Sequence, residues 1–397
     1  MDSSTTHAAP PILPSTSTTN MPGYTIPLLQ LLFGASALSR STTLNLFALA
    51  LGSYWLCFLG IHHPQGPWTR VYTMGCTLIS VFLKTLSSRW LMSENEFQRR
   101  GKDKNDDGDD GKKEGKSSKK SWKQWVFDVI EIGFGSARGI GWNFQIRNVP
   151  PAPSPTTPRL QFAAKQLVSA AINLLLVDLS YWHLRHFSSV TAEPIAPLTS
   201  QPLPLALFNA WLIYIQAYWV MSALFSVVAA ITVPLHIYPP SAFPPLFGSF
   251  AHAYTMKRFW AHTWHQMMRS IQLPYTAFLV RKLNLDERKK STYWVKVCVA
   301  FFFAWLVHAY GTLISGGGLT CDFWRYAPQV LAFWVEEKVI EVGKKMGCKG
   351  RKWRVLGYLW VFVFNGCTLL AWFAPPAAQR AYIKHPLGFS VVDKIMK

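Results

Sequence analysis

Long uncharged runs alternate with short polar segments along this chain. A helix that crosses a bilayer needs about 20 mostly apolar residues. Thr43 to Ile61 and Val355 to Ala374 meet that length, and Leu205 to His236 is longer and ends near Pro234. Phe162 to Trp182 qualifies despite Lys165 and Asp178, and Val297 to Leu313 is apolar except for His308. Val71 to Met92 is weaker, because Lys84 and Arg89 sit in its second half. Tyr24 to Leu38 is short, and Phe323 to Val342 carries Glu336, Glu337 and Lys338. The pattern predicts an all-α polytopic integral membrane helix bundle of about eight membrane elements.

The stretches between the runs set the organisation. Residues 1–23 are rich in Ser, Thr and Pro, which predicts a disordered tail. They lack the basic start of a cleaved signal peptide. Residues 93–125 include "RRGKDKNDDGDDGKKEGKSSKK", predicted to be a charged, disordered loop on the cytoplasmic side. "RNVPPAPSPTTP" is a proline-rich connector that cannot be helical. Residues 24–397 read as one membrane domain, since no internal repeat is visible.

Composition supports this reading. Half of the 397 residues are hydrophobic and only 15% are charged, whereas soluble domains approach a quarter. The net charge of +20 would suggest nucleic acid in a soluble chain. Here the bases collect between apolar runs, so they mark a cytoplasmic face and suit an anionic ligand such as a CoA thioester. Nucleic acid is excluded as a partner, and the lipid bilayer is included. The six cysteines form no CxxC pair and lie in or beside apolar runs, so neither a disulfide framework nor a zinc site is expected.

Three stretches carry candidate chemistry. In "KRFWAHTWHQMMR", a helical period puts Arg258, His262, His265 and Arg269 within about 60° of one another. Trp260, Trp264, Met267 and Ile271 fall on the opposite side. An interfacial helix explains the tryptophans and arginines, but not two histidines on the charged face. In "FFFAWLVHAYG", His308 is the lone strongly polar residue. It is either bonded to a neighbouring helix or kept neutral by desolvation as a base. In "SARGIGWNF", Gly139 and Gly141 allow a sharp bend, but the pattern is not a nucleotide fingerprint.

Together these stretches resemble the wax-synthase-like branch of the membrane-bound O-acyltransferases, in its fungal form. "RGIGW" before a proline-rich turn matches, as do "PPLFGSF" and then "YTMKRFWAHTWHQ". His308 stands where that family has a histidine in the next hydrophobic span. The departures are Thr255 and Met256 in the lead-in, and Trp305 to Val307 in place of a small Ser-Gly pair. The resemblance covers roughly 139–313. It implies acyl transfer from acyl-CoA to a hydroxyl within a helix bundle, with His308 and His265 as the catalytic pair.

Fungal members of this branch are often acetyltransferases acting on terpenoid, meroterpenoid or mycotoxin hydroxyls. Acetyl-CoA is therefore the favoured co-substrate, and a hydrophobic hydroxylated small molecule the acceptor. The resemblance also favours the endoplasmic reticulum or another endomembrane.

Acyl transfer needs a base for the alcohol proton and a donor for the thioester oxyanion. His308 suits the first role and His265 the second. Arg258 and Arg269, with Lys257, suit CoA phosphates. Trp260 and Trp264 pack the helix, with Trp264 also placed to meet substrate. No metal and no bound cofactor is needed. His308 lies about 22 Å along its helix from Tyr293, so CoA would reach it only through an internal tunnel. A long-chain-alcohol wax ester synthase is the alternative, followed by a non-catalytic transporter or lipid-binding protein.

Overall fold

The structure is a computed structural model that describes residues 21–64, 67–100, 121–135, 137–187, 198–348, 350–373 and 390–395. Its helices are α1 (Thr25–Ser39), α2 (Thr42–His62), α3 (Trp68–Trp90), α4 (Trp122–Ile130), α5 (Arg159–Phe187) and α6 (Leu203–Thr232). They continue with the single turn α7 (Met256–Arg258), then α8 (Arg269–Lys282), α9 (Lys290–Ile314), α10 (Leu319–Lys345), α11 (Arg351–Trp372) and α12 (Val391–Ile395). Each apolar run is one of these helices. Five of them, α2, α5, α6, α9 and α11, are long and apolar enough to cross a membrane. The fold is an all-α polytopic membrane bundle.

The charges that weaken the α10 run have local partners. Glu336 Oε2 accepts hydrogen bonds from the Met256 backbone N–H (2.6 Å) and from Trp360 Nε1 (3.2 Å). It thereby caps the first turn of α7, where free N–H groups attract an anion. Glu337 pairs with Lys290 at the start of α9.

Most of the expected tail, and 101–120 of the expected loop, lie outside the described residues. The edges of that loop are ordered. Glu94–Phe97 forms a 3-10 turn, and Ser121 caps α4 through the Gln124 N–H. Sequence periodicity gave no sign of α4 or α8.

Two glycines set the central crossing. A Cβ on Gly75 of α3 would lie 2.9 Å from the Gly311 Cα of α9, and one on Gly311 would lie 2.8 Å from the Tyr72 carbonyl. The two backbones therefore touch, a form of packing that only small residues permit inside a membrane.

The motif stretches fold onto one another. Gly139 (φ +64°) and Gly141 (φ +79°) occupy left-handed positions. Between them the chain turns, burying Trp142 completely. Trp142 Nε1 donates to Glu131 (3.0 Å), which with Asp128 holds Arg99. Arg138 is buried and donates to the Pro245 and Pro244 carbonyls at 2.6 and 2.7 Å. That contact anchors "RGIGW" against "PPLFG". Gly248 then lies flat on the next motif, its N–H bonded to the Thr263 carbonyl at 2.9 Å.

A Cβ on Gly248 would fall 1.9 Å from the His262 carbonyl oxygen, with no room for either backbone to give. Gly248→Ala should therefore destabilise the protein by about 1–3 kcal/mol, as overpacking does. Gly23→Ala, where a Cβ meets nothing within 4 Å, serves as the neutral control. Thermal unfolding in detergent checks both.

Candidate active site

The segment 257–269 is not the continuous amphipathic helix its period predicts. Thr255 caps α7 by accepting from the Arg258 N–H (3.0 Å). The chain then widens into a π turn over Phe259–Thr263 and runs extended at Trp264 (ψ 152°). A π turn closes i→i+5 bonds, here from the Trp264 N–H to the Phe259 carbonyl (2.8 Å), so the 100° register is lost. Gln266 holds the break: its buried amide donates to the carbonyls of Trp260 (2.9 Å) and Trp264 (2.6 Å).

The four residues expected on one charged face consequently part company. His265 turns inward, and its Nδ1 is buried with no hydrogen-bond partner among the described residues. Arg269 begins α8 and lines the same cavity as His265. Arg258 points elsewhere, its guanidinium over the Tyr254 ring at 4.7 Å and outside the cavity lining. His262 is exposed, and its part in the fold is the carbonyl against Gly248.

The cavity has a volume of about 310 Å³. One stripe of α9 runs along it: Tyr293, Lys296, Ala300, Ala304 and His308. Residues three or four apart share a helix face, and fifteen residues extend about 22 Å. At the Tyr293 end stand Lys257 and Lys296, and Arg269 also lines the cavity. At the other stand His265, His308 and Tyr326, with Trp260, Trp264, Phe301 and Phe333 between. Lys257 Nζ sits over the Tyr293 ring at 4.8 Å. Trp264 stacks on Tyr214 (4.2 Å between centroids) and also lines the cavity. The arrangement places a basic mouth, an aromatic shaft and two imidazoles in that order.

His308 is caged. Its ring stacks on Tyr326 (5.1 Å) and meets the edge of Trp372 (5.9 Å), while Nδ1 lies 2.6 Å from the Tyr72 hydroxyl. Behind the cage lies a polar knot between α10 and α11 with no counterpart in the sequence reading. Arg325, completely buried, donates to Asn365 (3.0 Å) and Thr368 (2.7 Å). Its guanidinium also faces the rings of Tyr214, Trp260, Tyr326 and Trp372 at 5.0–6.0 Å. Gln329 accepts from Trp260 Nε1 at 3.0 Å, tying the knot to the cavity wall. An arginine at the start of a run already discounted for its charges gives no signal by itself.

Burial, with Arg138 nearby, pulls the His265 imidazole down to about 4 from the ordinary 6.5. Above pH 6.5 it is neutral in both folded and unfolded states. Between 6.5 and 4 only the unfolded chain takes up the proton, so stability falls as the pH drops. Below about 4 the loss is complete, at about 3 kcal/mol. His265→Asn should flatten this part of the pH dependence, measured by thermal unfolding from pH 7 to 4.

Comparison with known proteins identifies the family. Residues 243–335 match the profile of the membrane bound O-acyl transferase family. The acetyltransferase ple2 of Rhodocybe pseudopiperita is 30% identical over 65% of this chain and 68% of its own. The acetyltransferase sirH of Leptosphaeria maculans is 28% identical over 59% and 60%. The O-Mevalon transferase macI of Penicillium terrestre is 32% identical over 45% and 44%. No solved structure matches. A chain that carries this profile across its two-histidine loop and helix, and shares most of its length with a fungal acetyltransferase, belongs to the membrane bound O-acyl transferase family and is an O-acyltransferase enzyme.

Proposed function

We propose that the enzyme transfers an acetyl group from acetyl-CoA to a hydroxyl of a hydrophobic terpenoid, meroterpenoid or mycotoxin-type metabolite, in the endoplasmic reticulum or a related endomembrane. The observation that carries this reading is one cavity with Lys257 and Lys296 at one end and His265 and His308 at the other. Lys257, Lys296 and Arg269 attract the CoA phosphates, leaving the pantetheine arm to follow the α9 stripe inward. His308 takes the acceptor's hydroxyl proton as the oxygen attacks the thioester carbon. The carbon–sulfur bond breaks, and the same imidazole returns the proton to the leaving thiolate. His265, neutral and inward-facing, donates to the developing oxyanion. The acetyl donor draws support from the relatives called acetyltransferases, ple2 and sirH.

The reading is tested in membranes holding the full chain, given labelled acetyl-CoA or palmitoyl-CoA with farnesol, geranylgeraniol or hexadecan-1-ol. Acetylation of a terpene alcohol is expected. A preference for palmitoyl-CoA and hexadecanol would install wax ester synthesis instead. His308→Ala should lower kcat by about a hundredfold to ten-thousandfold, the range for a lost general base. Full transfer by that variant would remove His308 from the role.

Lys257→Ala with Arg269→Ala should raise KM for acetyl-CoA about tenfold or more and leave the alcohol's nearly unchanged. Arg258→Ala should alter neither, because its guanidinium lies on Tyr254. An unchanged acetyl-CoA KM in the double variant would end the phosphate assignment.

A further inference from the structure

His308 has two ring nitrogens, and a base needs a free lone pair on the one that meets the substrate. Nδ1 is engaged with the Tyr72 hydroxyl at 2.6 Å, so Nε2 is the nitrogen left to the cavity. Two arrangements fit that distance. If the phenol donates to Nδ1, the ring hydrogen sits on Nε2 and the cavity meets a donor. If Nδ1–H donates to the phenol oxygen, Nε2 is bare and the cavity meets a base.

The reading of His308 as the base decides between them, because only a bare Nε2 can take a proton from the substrate. Nδ1 then carries the ring hydrogen and donates it to the Tyr72 oxygen, with the Cys76 sulfur, one turn on along α3, 4.0 Å from Nδ1.

We infer that Tyr72 is a positioning residue that fixes His308 in the tautomer with the hydrogen on Nδ1 and the lone pair on Nε2. This rests on the reading of His308 as the base. The glycine crossing supplies the geometry, because Tyr72 and His308 each lie three residues before the glycine that makes the contact. In the transfer step Nε2 accepts the alcohol proton, and the imidazolium keeps its Nδ1–H on the Tyr72 oxygen. After the carbon–sulfur bond breaks, Nε2 gives its proton to the thiolate and the starting tautomer returns. Tyr72 moves no proton of its own and acts through orientation. The stacking of its ring on Trp68 (4.7 Å) fixes that orientation further.

The test reads the tautomer directly. Full-length protein labelled with [15N]histidine is purified in detergent. Two-bond nitrogen–proton correlations report which ring nitrogen carries hydrogen. The His308 signals are those lost in His308→Asn. The wild type should show hydrogen on Nδ1. Tyr72→Phe keeps the ring and its stacking, and should make the Nε2–H form the major one.

In the acetyl transfer assay, Tyr72→Phe should lower kcat about tenfold to a hundredfold with the KM for acetyl-CoA held within twofold. Hydrogen on Nε2 in the wild type, or an unchanged tautomer in Tyr72→Phe, would overturn the assignment. The His308→Ala assay judges the base reading separately, so the two can fail independently.

Discussion

The backbone contact between Gly75 and Gly311 is the constraint on which the site depends. Inside a bilayer, apolar side chains gain little by leaving lipid for protein, so helices are held by close packing and polar contacts. Here α3 and α9 approach until a single added carbon on either glycine would collide with the other helix. One turn before that contact on each helix, a hydroxyl and an imidazole are brought to 2.6 Å. A wider crossing would leave His308 with no partner on α3. The small residues in these two helices therefore determine the chemistry of a side chain they do not touch.

The charged groups of α10 stabilise a different part of the same arrangement. Glu336 caps the turn that begins the 256–268 segment, and Gln329 holds Trp260 in the cavity wall. Arg325 fills the space behind the His308 cage with a guanidinium that bonds Asn365 and Thr368 through Nη1 and faces four aromatic rings, its Nε and Nη2 without a hydrogen-bond partner among the described residues. Breaking such a buried set by removing one member costs more than the set contributes as a whole, because the remaining groups lose their partners. The loop that carries His265 is thus fastened on one side by Arg138 through the proline-rich turn, and on the other by α10.

The bundle was largely legible from the apolar runs, because a run of that length has one stable form in lipid. His265, Trp264 and His308, singled out from two short motifs, all line the cavity. What failed was the assumption of a constant 100° period across 257–269. A π turn and an extended residue reset the angle at Trp264, so Arg258 left the site while His265 entered it. Tyr72, Arg325, Gln329 and Asn365 were invisible for another reason. Each is ordinary in its own helix and acquires meaning only from contacts with helices 30 or more positions away. Local pattern cannot report such contacts.

The buried polar set on α10 bears on how the protein comes to exist. Asp322, Arg325 and Glu336 are each under a tenth exposed and lie on a single helix. A lone aspartate or arginine at the centre of an inserting helix is disfavoured by about 2.5–3.5 kcal/mol. α10 is accordingly absent from the five helices apolar enough to cross on their own. Its neighbours α9 and α11 are both among them, and both supply its polar or charged groups with partners. During biogenesis α10 therefore settles only once those flanking helices are in place. The wall behind His308 closes late, only after the C-terminal helices have been made.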